Sequence, residues 1–175
     1  MNYSAIKTHD VANGIGVRVS LFVSGCTHHC KDCFNAETWD FAFGNPFGDA
    51  QVQQILEALK PDYIKGFSLL GGEPFEPQNQ HVLAPLLKKI KQAYPDKTIW
   101  CYSGYLLDTE LLSKSRARCE ATDEMLSYID ILVDGEFVAE KKDLNLRFRG
   151  SSNQRIIDVP ATLQAGKVVL SKEFM

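Results

Sequence analysis

Val17-Arg-Val-Ser-Leu-Phe-Val23-Ser-Gly-Cys26-Thr-His-His-Cys30-Lys-Asp-Cys33 is the stretch on which the reading of this chain turns. An apolar, β-prone run leads directly into three cysteines within eight residues, Cys26, Cys30 and Cys33. Thiolates at this spacing can hold three irons of one cubane [4Fe-4S] cluster and leave the fourth iron open to a ligand. A zinc site with His28 or His29 as fourth ligand is the alternative, but structural zinc sites usually combine two close pairs across a longer loop. Disulfides fit less well, since five cysteines is an odd number and the start of the chain has no secretory signal. His28 and His29 read as solvated loop residues rather than ligands.

Working outward, 175 residues with 45% hydrophobic content suit one domain with a single core, spanning 1–175. A formal charge of −3, from 19 basic and 22 acidic residues, sets up no field that would gather nucleic acid or coat a membrane. No apolar run approaches the roughly 20 residues that span a bilayer. The opening Met1-Asn-Tyr-Ser-Ala-Ile-Lys-Thr-His-Asp10 lacks the apolar centre of a signal peptide. A reducing cytoplasm is the expected location, and it suits free thiolates.

Apolar β-prone stretches alternate with helix-period segments, the pattern of an α/β protein with a largely parallel sheet. Strands are expected at 17–23, 66–70, 98–102 and 129–133. Val52, Ile55, Leu56 and Leu59 recur at helical spacing and Pro61 closes the segment, so 51–60 predicts an amphipathic helix over one sheet face. A second helix uses Leu83, Leu86, Leu87 and Ile90 and ends near Tyr94, with Pro85 either starting its regular part or kinking it. The polar stretch 108–125 predicts short helical pieces at 110–112 and 123–128 and an insertion loop at 113–122. Two short apolar runs, 155–159 and 167–170, are parted by Pro160 and Gly166 in the tail.

Leu70-Gly71-Gly72-Glu73-Pro74 ends the second expected strand. Paired glycines let backbone approach a ligand without an intervening Cβ, and loops at the carboxyl ends of parallel strands are where α/β sheets place their sites. An ordinary strand-to-helix turn is the plain alternative. Phe34, directly after the last cysteine, reads equally as a core residue or a ligand contact.

The Cys-x3-Cys-x2-Cys spacing, followed one strand and one helix later by Gly-Gly-Glu-Pro, resembles the radical S-adenosylmethionine superfamily. That resemblance implies a short partial (β/α) barrel, with S-adenosyl-L-methionine on the open iron and Gly71, Gly72 and Glu73 lining its site. It also implies that Asp32, Cys33 and Phe34 contact the cofactor, chiefly through backbone and ring. Further fragments narrow the likeness: Val11-Ala-Asn-Gly14-Ile-Gly16-Val-Arg18, Leu21 to Cys26, Phe34-Asn35, Thr38-Trp39, Trp100-Cys-Tyr-Ser-Gly104-Tyr105, Val133-Asp134-Gly135-Glu-Phe137 and Arg149-Gly-Ser-Ser-Asn-Gln154. Together and in this order they resemble the activating proteins of anaerobic ribonucleotide reductase. Taken singly, Gly14 and Gly16 are also turn-formers, Tyr102 and Tyr105 packing residues, and Arg149 a carbonyl cap. Against that family, 113–122 and the tail beyond 158 run long.

The family likeness implies one-electron chemistry: reductive cleavage of S-adenosylmethionine at the cluster, then hydrogen abstraction from one glycine of the large reductase subunit. An electron donor such as flavodoxin is the other expected partner. Cys101 and Cys119 are too few for a second cubane and read as structural. Asp134 reads either as a cofactor or docking-loop ligand or as a turn-forming Asp-Gly. Activation of another glycyl-radical enzyme of the formate-lyase type, a small-molecule radical enzyme, and a zinc-stabilised interaction module are the competing readings.

Overall fold

In the computed structural model, which describes residues 1–172, the chain forms β1 (Asn2–Asp10), β2 (Val17–Val23), β3 (Asn45–Pro46), α1 (Asp49–Leu59), β4 (Ile64–Gly71), α2 (Pro77–Ala93), β5 (Thr98–Ser103), α3 (Thr122–Tyr128), β6 (Ile131–Asp134), β7 (Arg155–Asp158) and α4 (Val159–Ala165). Residues 173–175 of the expected 1–175 domain lie outside the described residues. One mixed sheet takes the order β3-β1-β2-β4-β5-β6-β7. Its four central strands, β2, β4, β5 and β6, are parallel. β1 pairs antiparallel with β2 and with β3, and β7 pairs antiparallel with β6. The α/β class and the largely parallel centre agree with the sequence, and antiparallel strands close both edges.

Alternation along the strands sorts side chains onto two faces. Leu21 of β2, Leu69 of β4, Cys101 of β5 and Leu132 of β6 share one core with residues from all four helices. Val52, Ile55 and Leu59 are the buried stripe of α1, as their spacing predicts. The other face is smaller, built on Trp100, Val133 and Ile156. There Arg18, 1% exposed, donates from Nε to Ser68 Oγ at 2.7 Å and from one terminal nitrogen to the carbonyls of Phe67 and Thr98 at 2.9 and 2.8 Å. Burial pulls its guanidinium down to about 10; the bonds across β2, β4 and β5 offset that cost.

Several boundaries differ from expectation. α2 starts at Pro77 and runs through Pro85, which lies on its exposed side, where solvent can serve the carbonyl that loses its partner. The piece expected at 110–112 is a single π-turn, Leu107–Leu111. The run 155–159 divides into β7 and the start of α4, because the Asp158 carboxylate accepts from Ala161 N–H at 2.9 Å and caps a helix that Gly166 ends in a left-handed conformation, φ +66°. β1 and β3 carry too little alternation to be read from sequence; β1 pairs by register with β2. No helix among the described residues is long and apolar enough to cross a membrane.

Candidate functional site

The segments that follow the four parallel strands converge on one cavity of about 440 Å³. Cys26, Cys30, Cys33 and Phe34 come from the loop after β2, Gly71, Gly72 and Glu73 from the end of β4, Ser103 and Gly104 from β5, and Gly135 and Phe137 from beyond β6. Thus β-strand order gathers residues that are separated by more than a hundred positions in sequence. Asp32, alone among the expected site residues, is not on the wall. It stands exposed in a left-handed turn, φ +57°.

The cysteine loop is held at its start by Gly25 N–H to the Thr38 carbonyl, 2.8 Å, and Cys26 N–H to the Trp39 carbonyl, 3.1 Å. Further on, Cys33 N–H closes a turn on the Cys30 carbonyl at 3.2 Å, and Asn35 N–H points at Cys33 Sγ at 3.5 Å. Burial pushes the Cys26 thiol up to about 12 and raises Cys30 as well. Holding these sulfurs as thiolates therefore takes a positive centre against them. Three thiols from one short loop on one wall are a donor set suited to a cubane cluster. Two residues of the cavity lining, Trp39 and Tyr102, each carry a buried polar atom, Nε1 and Oη, with no hydrogen-bond partner in the chain.

The paired glycines line the cavity and also let two backbone segments of the chain pack closely. Gly72 N–H donates to the Val23 carbonyl at 2.7 Å and Glu73 N–H to the Gly25 carbonyl at 2.8 Å. A Cβ on Gly72 would lie 2.6 Å from the Gly25 carbonyl oxygen and 2.9 Å from that of Thr38. Gly71, at φ +114°, would meet the backbone of Val23. The close approach is thus between β4 and the root of the cysteine loop, and it is backbone that needs the room.

Glu73 is the buried centre of this arrangement, 1% exposed. Its Oε1 accepts from Phe75 N–H at 2.8 Å and Ser103 Oγ at 2.9 Å. Its Oε2 accepts from Gly104 N–H at 2.8 Å and pairs with His28 Nε2 at 3.0 Å. The other ring nitrogen of His28 lies 2.8 Å from Glu136 Oε1. His28 is therefore no solvated loop residue: its side chain is 3% exposed and its ring packs on Tyr105 at 4.3 Å. Burial opposes a charged imidazole, yet the hydrogen bonds and charges of Glu73 and Glu136 raise its pKa above the ordinary value. Sequence reasoning missed it because its partners stand 45 and 108 residues away. His29, by contrast, is exposed as expected and stacks on Trp39.

Phe34 is 62% exposed, so core packing does not account for it; its ring meets Phe137 at 5.2 Å and the Lys142 ammonium at 5.0 Å. Asp134 faces neither ligand nor solvent. Wholly buried, it accepts from Arg155 at 2.9 and 2.6 Å and from Leu107 N–H at 2.8 Å. Arg149 does cap a carbonyl, that of Gln154, at 2.7 Å. Cys101 is buried in the core, and Cys119 lies beside His81 and Glu120; neither lines the cavity.

Comparison with known proteins sets this geometry in a lineage. A family model described as a 4Fe-4S single cluster domain matches residues 12–157. A protein of Haemophilus influenzae named anaerobic ribonucleoside-triphosphate reductase-activating protein is 47% identical over 158 residues, 89% of this chain and 97% of that one. The chain belongs to this family of activating proteins. Other members bearing the same name are those of Escherichia coli K12, 43% identical over 88% of this chain and 96% of that one, and of Enterobacteria phage T4, 38% identical over 89% and 93%. Membership favours the iron–sulfur reading of the cysteine loop over the zinc alternative, because the matching model covers the whole loop and describes a 4Fe-4S domain.

Proposed function

We propose that this chain activates an anaerobic ribonucleotide reductase by generating a glycyl radical on its large subunit, with Cys26, Cys30 and Cys33 holding one [4Fe-4S] cluster. The observation that carries the reading is the convergence of those three thiols with Gly71, Gly72 and Glu73 on one cavity at the carboxyl ends of parallel strands. Cys26, Cys30 and Cys33 would hold the cluster, which with S-adenosyl-L-methionine bound and an electron from an external donor would supply the one-electron reductive chemistry that takes a hydrogen atom from a glycine Cα.

The chain's own work is placement. Gly71 and Gly72 let β4 lie against the cysteine loop, Glu73 ties β5 to both, and Cys33 and Phe34, which follow the exposed turn at Asp32, form the outer wall toward the ligand. No general base is needed, since the reaction moves a hydrogen atom rather than a proton. The parallel strands and their one-sided helices serve as a short partial barrel, a single domain whose open rim admits the partner's glycine loop. Cytoplasmic location and a flavodoxin-type electron donor complete the reading.

Mixing the reduced protein, S-adenosylmethionine and the anaerobic reductase tests it. The expected result is a glycyl-radical electron paramagnetic resonance doublet that collapses when glycine Cα is deuterated. The signal should vanish with Cys26→Ala, Cys30→Ala or Cys33→Ala and persist with Cys119→Ala. A radical that forms only with a formate-lyase type partner would transfer the assignment to that class.

A further inference from the structure

Glu73 lines the cavity, yet its carboxylate is fully engaged by the chain itself. A carboxylate offers about four acceptor sites, and here Phe75 N–H, Ser103 Oγ, Gly104 N–H and His28 Nε2 take them. Three of these donors belong to β4, β5 and the turns that follow them. The fourth, His28, comes from the middle of the cysteine loop, between Cys26 and Cys30. Its second nitrogen reaches Glu136, just past β6.

One imidazole therefore bridges the cysteine loop to the ends of three parallel strands. The surroundings are shaped for that ring. A Cβ on Gly104 would fall 2.6 Å from His28 Nε2, so only glycine leaves the ring its place, and Tyr105 packs against it.

We propose that His28 is a positioning residue: by bonding Glu73 through Nε2, it locks the cysteine loop to the rim of the sheet and fixes where the three thiols stand relative to the rest of the cavity. Glu73 then acts as the organiser of the strand ends, and ligand recognition falls to the other groups on the wall. This inference rests on the cluster-binding reading above. Without the His28 bond, the loop keeps its root near Gly25 and Cys26, the bonds of Thr27 N–H and Oγ1 to Glu76 at 2.8 and 2.6 Å, the exposed Lys31–Glu140 pair and its exit turn, while the segment between Thr27 and Cys30 loses its buried link to Glu73 and the end of β5.

The test compares wild type, His28→Ala, His28→Asn, His28→Gln and Gly104→Ala, each loaded with cluster anaerobically. A glutamine amide can occupy the Nε2 position and an asparagine amide the Nδ1 position, so only His28→Gln preserves the bond to Glu73. Two readouts apply: the rate at which a chelator strips iron, and the change in the reduced cluster's paramagnetic resonance spectrum when S-adenosylmethionine is added. Breaking one buried charge-assisted hydrogen bond should speed iron loss about tenfold in His28→Ala, His28→Asn and Gly104→Ala, with His28→Gln close to wild type. The same three variants should need more S-adenosylmethionine for the spectral change.

Equal iron-loss rates in all five proteins, or rescue by asparagine and not by glutamine, would overturn the role given to His28. A wild type that takes up no cluster would instead sink the cluster reading, and one whose spectrum ignores S-adenosylmethionine would sink that ligand while leaving the iron-loss comparison to judge His28.

Discussion

Gly72 shows how much a single missing side chain decides. The sequence reads it either as a glycine that makes room for a ligand or as part of a strand-to-helix turn. In the fold its α-carbon faces the carbonyls of Gly25 and Thr38, and a methyl group there has to push apart two hydrogen-bonded backbone segments. Gly72→Ala is thus expected to cost about 1–3 kcal/mol of stability, the usual range for overpacking a tight site. Thermal unfolding of the variant checks it: a lowered midpoint supports the backbone role, whereas an unchanged midpoint with lost ligand binding would restore the ligand-space reading. His28 makes the complementary point. Nothing in Cys26-Thr-His-His-Cys30 distinguishes the buried histidine from its exposed neighbour, because the distinction lies in Glu73 and Glu136.

At the scale of elements, the clamp between β6 and β7 carries a charged pair into the interior. Asp134 ends β6 wholly buried, and Arg155 opens β7 with two bonds to it and two more to Asp108, at 2.8 and 3.4 Å. These bonds hold Arg155 above its ordinary pKa and depress that of Asp108. Replacing Arg155 by leucine leaves a buried carboxylate with only the Leu107 N–H, which is expected to cost about 3–5 kcal/mol. Denaturant unfolding measures it, and Arg155→Leu combined with Asp134→Leu should recover part of the loss, since the unpaired charge goes with its partner. Helices were more legible than this pairing. Val52, Ile55 and Leu59 announce α1 by spacing alone, while Asp134-Gly135 reads as a turn until β7 is laid beside it.

For the whole molecule, all four helices join the core on one sheet face, and the cavity opens at the ends of the parallel strands. Under the proposed activity a partner's glycine would approach the cavity from that rim, where Phe34, 62% exposed, and Phe137 line it. Addition of the reductase should therefore slow amide hydrogen exchange in 28–35 and 135–150 and leave α1 and α4 unchanged. Protection confined to the helical side would place the docking surface elsewhere.

By itself the sequence determined the class of fold, the central parallel strands and the identity of the chemistry-bearing loop, because strand and helix periodicity and the Cys26, Cys30, Cys33 spacing are local. The same holds for the burial of Cys101, which follows from its place in an apolar strand. Tertiary structure alone decided the antiparallel edges, the engagement of Glu73, the burial of His28 and the inward commitment of Asp134. The engagement of Glu73, the burial of His28 and the inward commitment of Asp134 each depend on hydrogen-bond partners that strand order brings together across gaps of 21 to 108 residues. A buried polar group must find its partner somewhere, and local sequence does not say which distant strand will supply it.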